Sequence, residues 1–176
     1  MKKILFLILL ITFSCKKQEE KLVNIVKVDY VSIGTKYGKL YKFFDVQETT
    51  IKNDDFTIFV YKDSTNFKRT DTLKLYKTGK VIFNDIIAED IQTKKIDYNK
   101  IIFLHKVYIP RNEGISVDNF SGEIIYLTDD GIIARYGTAS NYISLYKPNI
   151  YSELHNKILQ CKLDFKRHPK ELPGLP

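Results

Sequence analysis

Residues 123–136 read Glu-Ile-Ile-Tyr-Leu-Thr-Asp-Asp-Gly-Ile-Ile-Ala-Arg-Tyr, and the fold is decided there. Glu123–Leu127 and Ile132–Tyr136 are runs of strand length, rich in β-branched and aromatic residues. They flank Thr128-Asp129-Asp130-Gly131. Asp-Gly between two such runs predicts a hairpin with a type I′ turn, whose central residues both need positive φ. Gly137–Asn141 marks the next turn and Tyr142–Tyr146 the next strand, so the three strands form an antiparallel meander. Upstream, Val26, Val28 and Tyr30 alternate with Lys27 and Asp29, as in a half-buried strand. Leu40–Val46 is a further apolar run, and Phe56–Tyr61 is apolar on both faces, as a central strand would be. Thr72–Lys77 and Lys80–Phe83 flank Thr78-Gly79, a second hairpin, and Lys100–Tyr108 forms a long strand stopped by Pro110.

After Tyr146 the period changes. Tyr151, Leu154, Ile158, Cys161 and Phe165 recur at helical spacing, which predicts an amphipathic helix over 150–163 with Asn149 as its N-cap. Asn84–Thr93, carrying Ile86, Ile87 and Ile91, reads as a weaker helix or as loop. The expected fold is α+β and mainly β, an antiparallel sheet (meander) with the C-terminal helix packed on one face. No repeat and no mid-chain linker divides the chain, so residues 22–166 read as a single β-rich domain and 167–176 as a proline-rich tail.

The 176 residues carry a formal charge of +7, with 44% hydrophobic and 28% charged residues, a globular composition that excludes disordered and polytopic membrane classes. The lysines are dispersed, which argues against a nucleic-acid partner. A basic surface of this kind suits anionic glycans, lipid headgroups or acidic proteins, or is simply solvated.

The leader gives the address. Met1-Lys2-Lys3, an apolar run from Ile4 to Ile11 and Thr12-Phe13-Ser14-Cys15 make a secretory signal peptide over 1–14. The run is shorter than the roughly 20 residues of a membrane-spanning helix. Thr12-Phe13-Ser14-Cys15 resembles a bacterial lipobox, with Thr12 where the commonest form has Leu, as in Bacteroidota-type lipoproteins. The resemblance implies cleavage before Cys15, lipidation of Cys15 with palmitate-type chains, and a place on the cell envelope, at the outer membrane. An ordinary secreted protein with an incidental cysteine, or an uncleaved signal anchor, are the other readings. Residues 15–21 then form the lipidated cysteine and a charged tether. Acidic Glu19 and Glu20 resemble the surface-export signals of some Bacteroidota lipoproteins, but Lys16 and Lys17 come first, and a solvated spacer explains the stretch better. Lipidation of Cys15 leaves Cys161 alone, so no internal disulfide is expected.

Residues in patterns that carry chemistry are few. His105 alternates with Ile101, Phe103 and Val107, which suits a hydrogen-bonded core histidine better than a general base. His155 falls at the solvent boundary of the helix stripe and His168 in the tail. No metal-ligand spacing is present, and Asp118–Glu123 reads as a turn more readily than as a calcium loop. Cys161 on an apolar stripe behaves as a small hydrophobe. Asp54-Asp55 and Asp129-Asp130 sit where turns favour aspartate. No catalytic residue, metal or cofactor is therefore expected. Tyr136, Tyr142 and Tyr146 surround the meander turns and are candidates for a recognition surface. The expected function is a lipid-anchored binding or interaction module, accessory, inhibitory or immunity-type, with an envelope protein as a possible partner. A structural envelope component, and a hydrolase using carboxylates or His105, are the alternatives.

Overall fold

The computed structural model describes residues 20–32, 39–64, 70–98, 100–110, 122–138 and 140–169. Cys15, residues 118–121 of the calcium-like stretch and the end of the tail lie outside the described residues. Eleven strands and one helix follow in order: β1 (Glu20–Ser32), β2 (Lys39–Lys52), β3 (Phe56–Asp63), β4 (Thr70–Tyr76), β5 (Val81–Phe83), β6 (Ile86–Ile87), β7 (Glu89–Tyr98), β8 (Lys100–Pro110), β9 (Gly122–Thr128), β10 (Gly131–Gly137), β11 (Tyr142–Tyr146) and α1 (Pro148–Leu159). The expected mainly β fold with a C-terminal helix packed on the sheet is what the chain forms.

All strands belong to one antiparallel sheet in the order β6-β5-β4-β3-β2-β1-β11-β10-β9-β8-β7. Every pair consists of strands successive in the chain, except β1 with β11, which joins the first strand to the last. The two outermost strands, β6 and β7, are separated by the single residue Ala88. The sheet therefore curls until its ends meet, and is nearly a closed barrel. Ala88 sits buried at the seam, its N–H donating to the Val81 carbonyl at 3.0 Å. Closure removes the exposed edges that an open sheet of this width would present.

Strand side chains alternate between faces, and here each face has its own core. Val28, Phe59, Leu73, Val107, Ile125 and Ile132 fill the barrel interior. Leu104, Ile124, Ile133 and Ile143 point outward on β8–β11 and are covered by Leu154 and Ile158 of α1. Ile124 and Tyr126 thus face out while Ile125 and Leu127 face in, so the unbroken apolar run of β9 reflects burial on both sides.

Several local expectations are corrected. The β9–β10 turn is not type I′: of its residues only Gly131 has positive φ, at 101°, while Asp129 and Asp130 keep ordinary values. The Thr128 hydroxyl accepts the Asp130 N–H at 3.2 Å, and Gly131 takes the left-handed position after the turn. Residues 84–93 are not helical. Asn84 and Asp85, at φ 46° and 65°, make the two-residue turn of the β5–β6 hairpin, the type I′ geometry that Asn and Asp tolerate. β1 begins at Glu20, inside the expected tether, because Glu20 and Lys21 pair with Lys52 and Ile51.

The helix starts earlier than expected. Asn149 does not cap it. Lys147, left-handed at φ 54°, precedes Pro148, whose fixed φ opens the first turn. α1 ends in a Schellman arrangement, with Cys161 N–H donating to the Ile158 carbonyl at 3.0 Å and Lys162 N–H to Lys157 at 2.8 Å. Cys161 occupies the left-handed position at φ 53° and is exposed, so it does not belong to the apolar stripe. His155, expected at the solvent boundary, is buried instead.

Candidate functional site

The interior of one barrel mouth is polar. Its organiser is Arg135, aimed there by an irregularity in β10. The register against β9 skips Ile133, so Ile133 and Ala134 both pack in the outer core and Arg135 turns inward. The guanidinium forms a fork with Glu123, Nε to Oε2 at 2.6 Å and Nη2 to Oε1 at 2.9 Å. Nη1 donates to Asp71 Oδ2 at 2.6 Å, and the planar group lies 4.7 Å from the Phe83 ring centroid. Asp71 is itself held by Asn84, whose Nδ2 donates to Asp71 Oδ1 at 2.8 Å from the β5–β6 turn. Burial works against the arginine charge, but the hydrogen bonds and charge of Glu123, with Asp71, outweigh it and hold the guanidinium protonated above its ordinary range. The Tyr146 hydroxyl is pushed up by burial, with Arg135 pulling the other way.

Aromatic rings surround this network. Tyr30 and Tyr142 stack at 5.0 Å with 12° between planes, and Tyr41 tilts toward both, at 6.2 and 5.6 Å. Lys42 Nζ lies 5.4 Å from the Tyr30 ring centroid. Tyr30, Tyr142, Lys42, Arg135, Glu123 and Asp71 line a cavity of about 550 Å³ that Ser140, Ser144 and Asp63 complete. Barrel mouths of this kind, with apolar and aromatic walls and a few fixed polar groups, are common places for ligand sites.

Of the sequence candidates, Tyr136, Tyr142 and Tyr146 all border this cavity. Tyr142 contributes a half-buried ring to the aromatic group, and Tyr146 is buried in the interior core. Tyr136 packs mainly in the outer core, because the β10 irregularity reverses its face. The histidines are not brought together. His105 lies on the interior side toward the other end, its Nδ1 2.8 Å from Thr93 Oγ1; burial lowers its pKa and Asp129 opposes that. His155 Nε2 donates to the Ile133 carbonyl at 3.0 Å under the helix. His168, at the start of the tail, stacks on Tyr108 at 3.8 Å. Glu123, the last residue of the calcium-like stretch, is committed to Arg135. Among the described residues no group of three His, Cys, Asp or Glu side chains is arranged to hold a metal.

Sequence reasoning missed Arg135, Glu123 and Asp71. A lone arginine inside the apolar run Ile132–Tyr136 was the available signal, but alternation alone assigns it to the wrong face.

Fold and site together define a nearly closed up-and-down β-barrel with a polar, tyrosine-lined mouth. No protein-family model matches the chain, and no curated protein or solved structure matches it either.

Proposed function

We propose that this chain is a lipid-anchored extracytoplasmic binding module that engages its ligand or envelope partner through the tyrosine-lined mouth. The observation that carries the reading is the mouth itself: a cavity of about 550 Å³ with Arg135 fixed by two carboxylates beneath stacked tyrosines. Such a preformed arrangement offers flat apolar area and oriented hydrogen-bonding groups at low ordering cost. The leader supports the anchored setting. For a chain lipidated at Cys15, four residues separate it from Glu20, a reach of at most about 18 Å over the five steps of chain. The Glu20 end of the barrel then lies beside the bilayer and the tyrosine mouth opens away from it.

Two experiments test this. Cys15→Ala is expected to abolish acyl labelling and release the protein from membranes; continued labelling contradicts the anchor. Capture from envelope extract with the full-length protein should retain a component that a Tyr30→Ala/Tyr142→Ala variant, folded by circular dichroism, loses. Equal retention by both proteins contradicts the assignment to the mouth.

A further inference from the structure

The end of the barrel opposite the tyrosine-lined mouth is uneven. β11 stops at Tyr146, opposite Val28, so residues 20–27 of β1 run on without it, held by β2 alone. β8 pairs with β9 only from His105 onward, so residues 100–104 and the facing residues 94–98 of β7 run past the β9–β10 turn. Two arms therefore project from this end, and α1 starts between them. The Tyr98 hydroxyl donates to the Ile150 carbonyl at 2.7 Å, and the Tyr98 and Tyr151 rings lie 6.1 Å apart. A cleft of about 720 Å³ separates the arms, with Leu22, Ile25, Ile102 and Ile150 in its lining.

These projections are apolar where water should reach them. Six of the eleven large hydrophobic side chains exposed among the described residues stand here: Leu22, Val23, Ile25, Ile101, Phe103 and Ile150, 48–69% exposed. Single exposed hydrophobics are ordinary on a protein surface, but a gathering of them at one end marks a contact surface. Charges of both signs flank them. Glu20 pairs across the sheet with Lys52, Lys95 with Phe103 and Asp97 with Ile101, and all four charged residues are exposed. Such a rim gives no preference for an acidic or a basic partner, and the lysine stems can lie along apolar neighbours while their ammonium groups reach a polar layer.

The preceding chain argues for what covers this end. β1 begins here at Glu20, and Cys15 lies five steps of chain before it. On the anchored reading proposed above, on which this inference rests, acyl chains on Cys15 keep the bilayer within about 18 Å of Glu20. We infer that this end of the barrel dips into the lipid surface, with Leu22, Ile101, Phe103 and Ile150 below the headgroups and the flanking charges among them. The folded domain thus makes a second membrane contact of its own, driven by apolar burial and independent of anionic lipid. The contact holds the barrel upright, with the tyrosine-lined mouth turned away from the bilayer.

The test uses the lipidated full-length protein in phosphatidylcholine vesicles. The chain contains no tryptophan, so one introduced tryptophan is the sole indole reporter. Phe103→Trp places it on the projecting β8 arm and Tyr41→Trp at the opposite mouth, both at exposed positions. With brominated acyl chains in the vesicles, emission from position 103 is expected to fall about twofold and that from position 41 to stay unchanged. Equal quenching at the two positions overturns the proposal, because the barrel then has no fixed end in the lipid. Absence of quenching at position 103 also overturns it: if the chain floats with the vesicles the anchor stands, and if it stays in solution the anchor falls as well. A second copy of the chain seated on this end would shift the position 103 emission with protein concentration and leave it unquenched, which again overturns the proposal.

Discussion

Gly131 shows how one residue fixes the geometry of the barrel interior. At φ 101° it occupies backbone space that other residues enter only under strain, and a Cβ there would lie 2.5 Å from the buried Tyr61 hydroxyl. Gly79, at φ 85°, has the same backbone demand but open space around it. Gly79→Ala should therefore cost about 1 kcal/mol, and Gly131→Ala about 2–4 kcal/mol because overpacking adds to strain. Urea unfolding of both variants checks the difference; equal losses would mean that contact with Tyr61 contributes nothing. His155 gives a pH dependence with a defined sign. Burial, opposed by its hydrogen bond to the Ile133 carbonyl, lowers its pKa from 6.5 to about 4. The unfolded chain therefore takes up the proton first. The contribution, at most about 3 kcal/mol, is fully present above pH 6.5 and is lost as pH falls toward 4. In unfolding measurements from pH 7 to 4, His155→Gln should show a shallower decline than the natural chain. Parallel declines would contradict a buried neutral His155.

The strands and helix differ in how much of them the sequence reveals. β3, β8, β9, β10 and β11 are legible because their β-branched and aromatic runs end at Gly, Asp or Pro. The ladder irregularity at Ile133 is not, since nothing in Ile-Ile-Ala-Arg distinguishes a skipped residue from plain alternation, and with it goes the inward aim of Arg135. The β5–β6 hairpin is hidden for a different reason: its strands have only three and two residues, too few to show a period of two. In α1 the apolar stripe predicts the helix, but the Schellman turn ends it before Cys161. Left-handed backbone is costly for any residue with a Cβ. Cys161→Gly should therefore stabilise the protein by about 0.5–1 kcal/mol. A calorimetric melt with no increase, or a decrease, would show that the cysteine side chain contributes more than its backbone strain costs.

At the scale of the whole molecule, the meander is local but closure is not. Hairpins such as β9–β10 and β10–β11 can be read from their own turns, whereas pairing of Val28 with Tyr146 joins segments far apart in sequence and leaves no local trace. That pairing turns a wide sheet into a barrel, gathers Tyr30 from β1 with Tyr142 from β11, and sets Arg135 beneath them. The polar mouth is thus a consequence of closure, which explains why three tyrosines were visible in the sequence while the charged network was not. The tyrosine-lined mouth as the binding surface is tested most directly by photo-crosslinking in living cells, with a photoreactive residue in place of Tyr41 at the mouth or of Tyr76 at the opposite end. A discrete adduct is expected from position 41 and none from position 76. An adduct from position 76 with none from position 41 would contradict it.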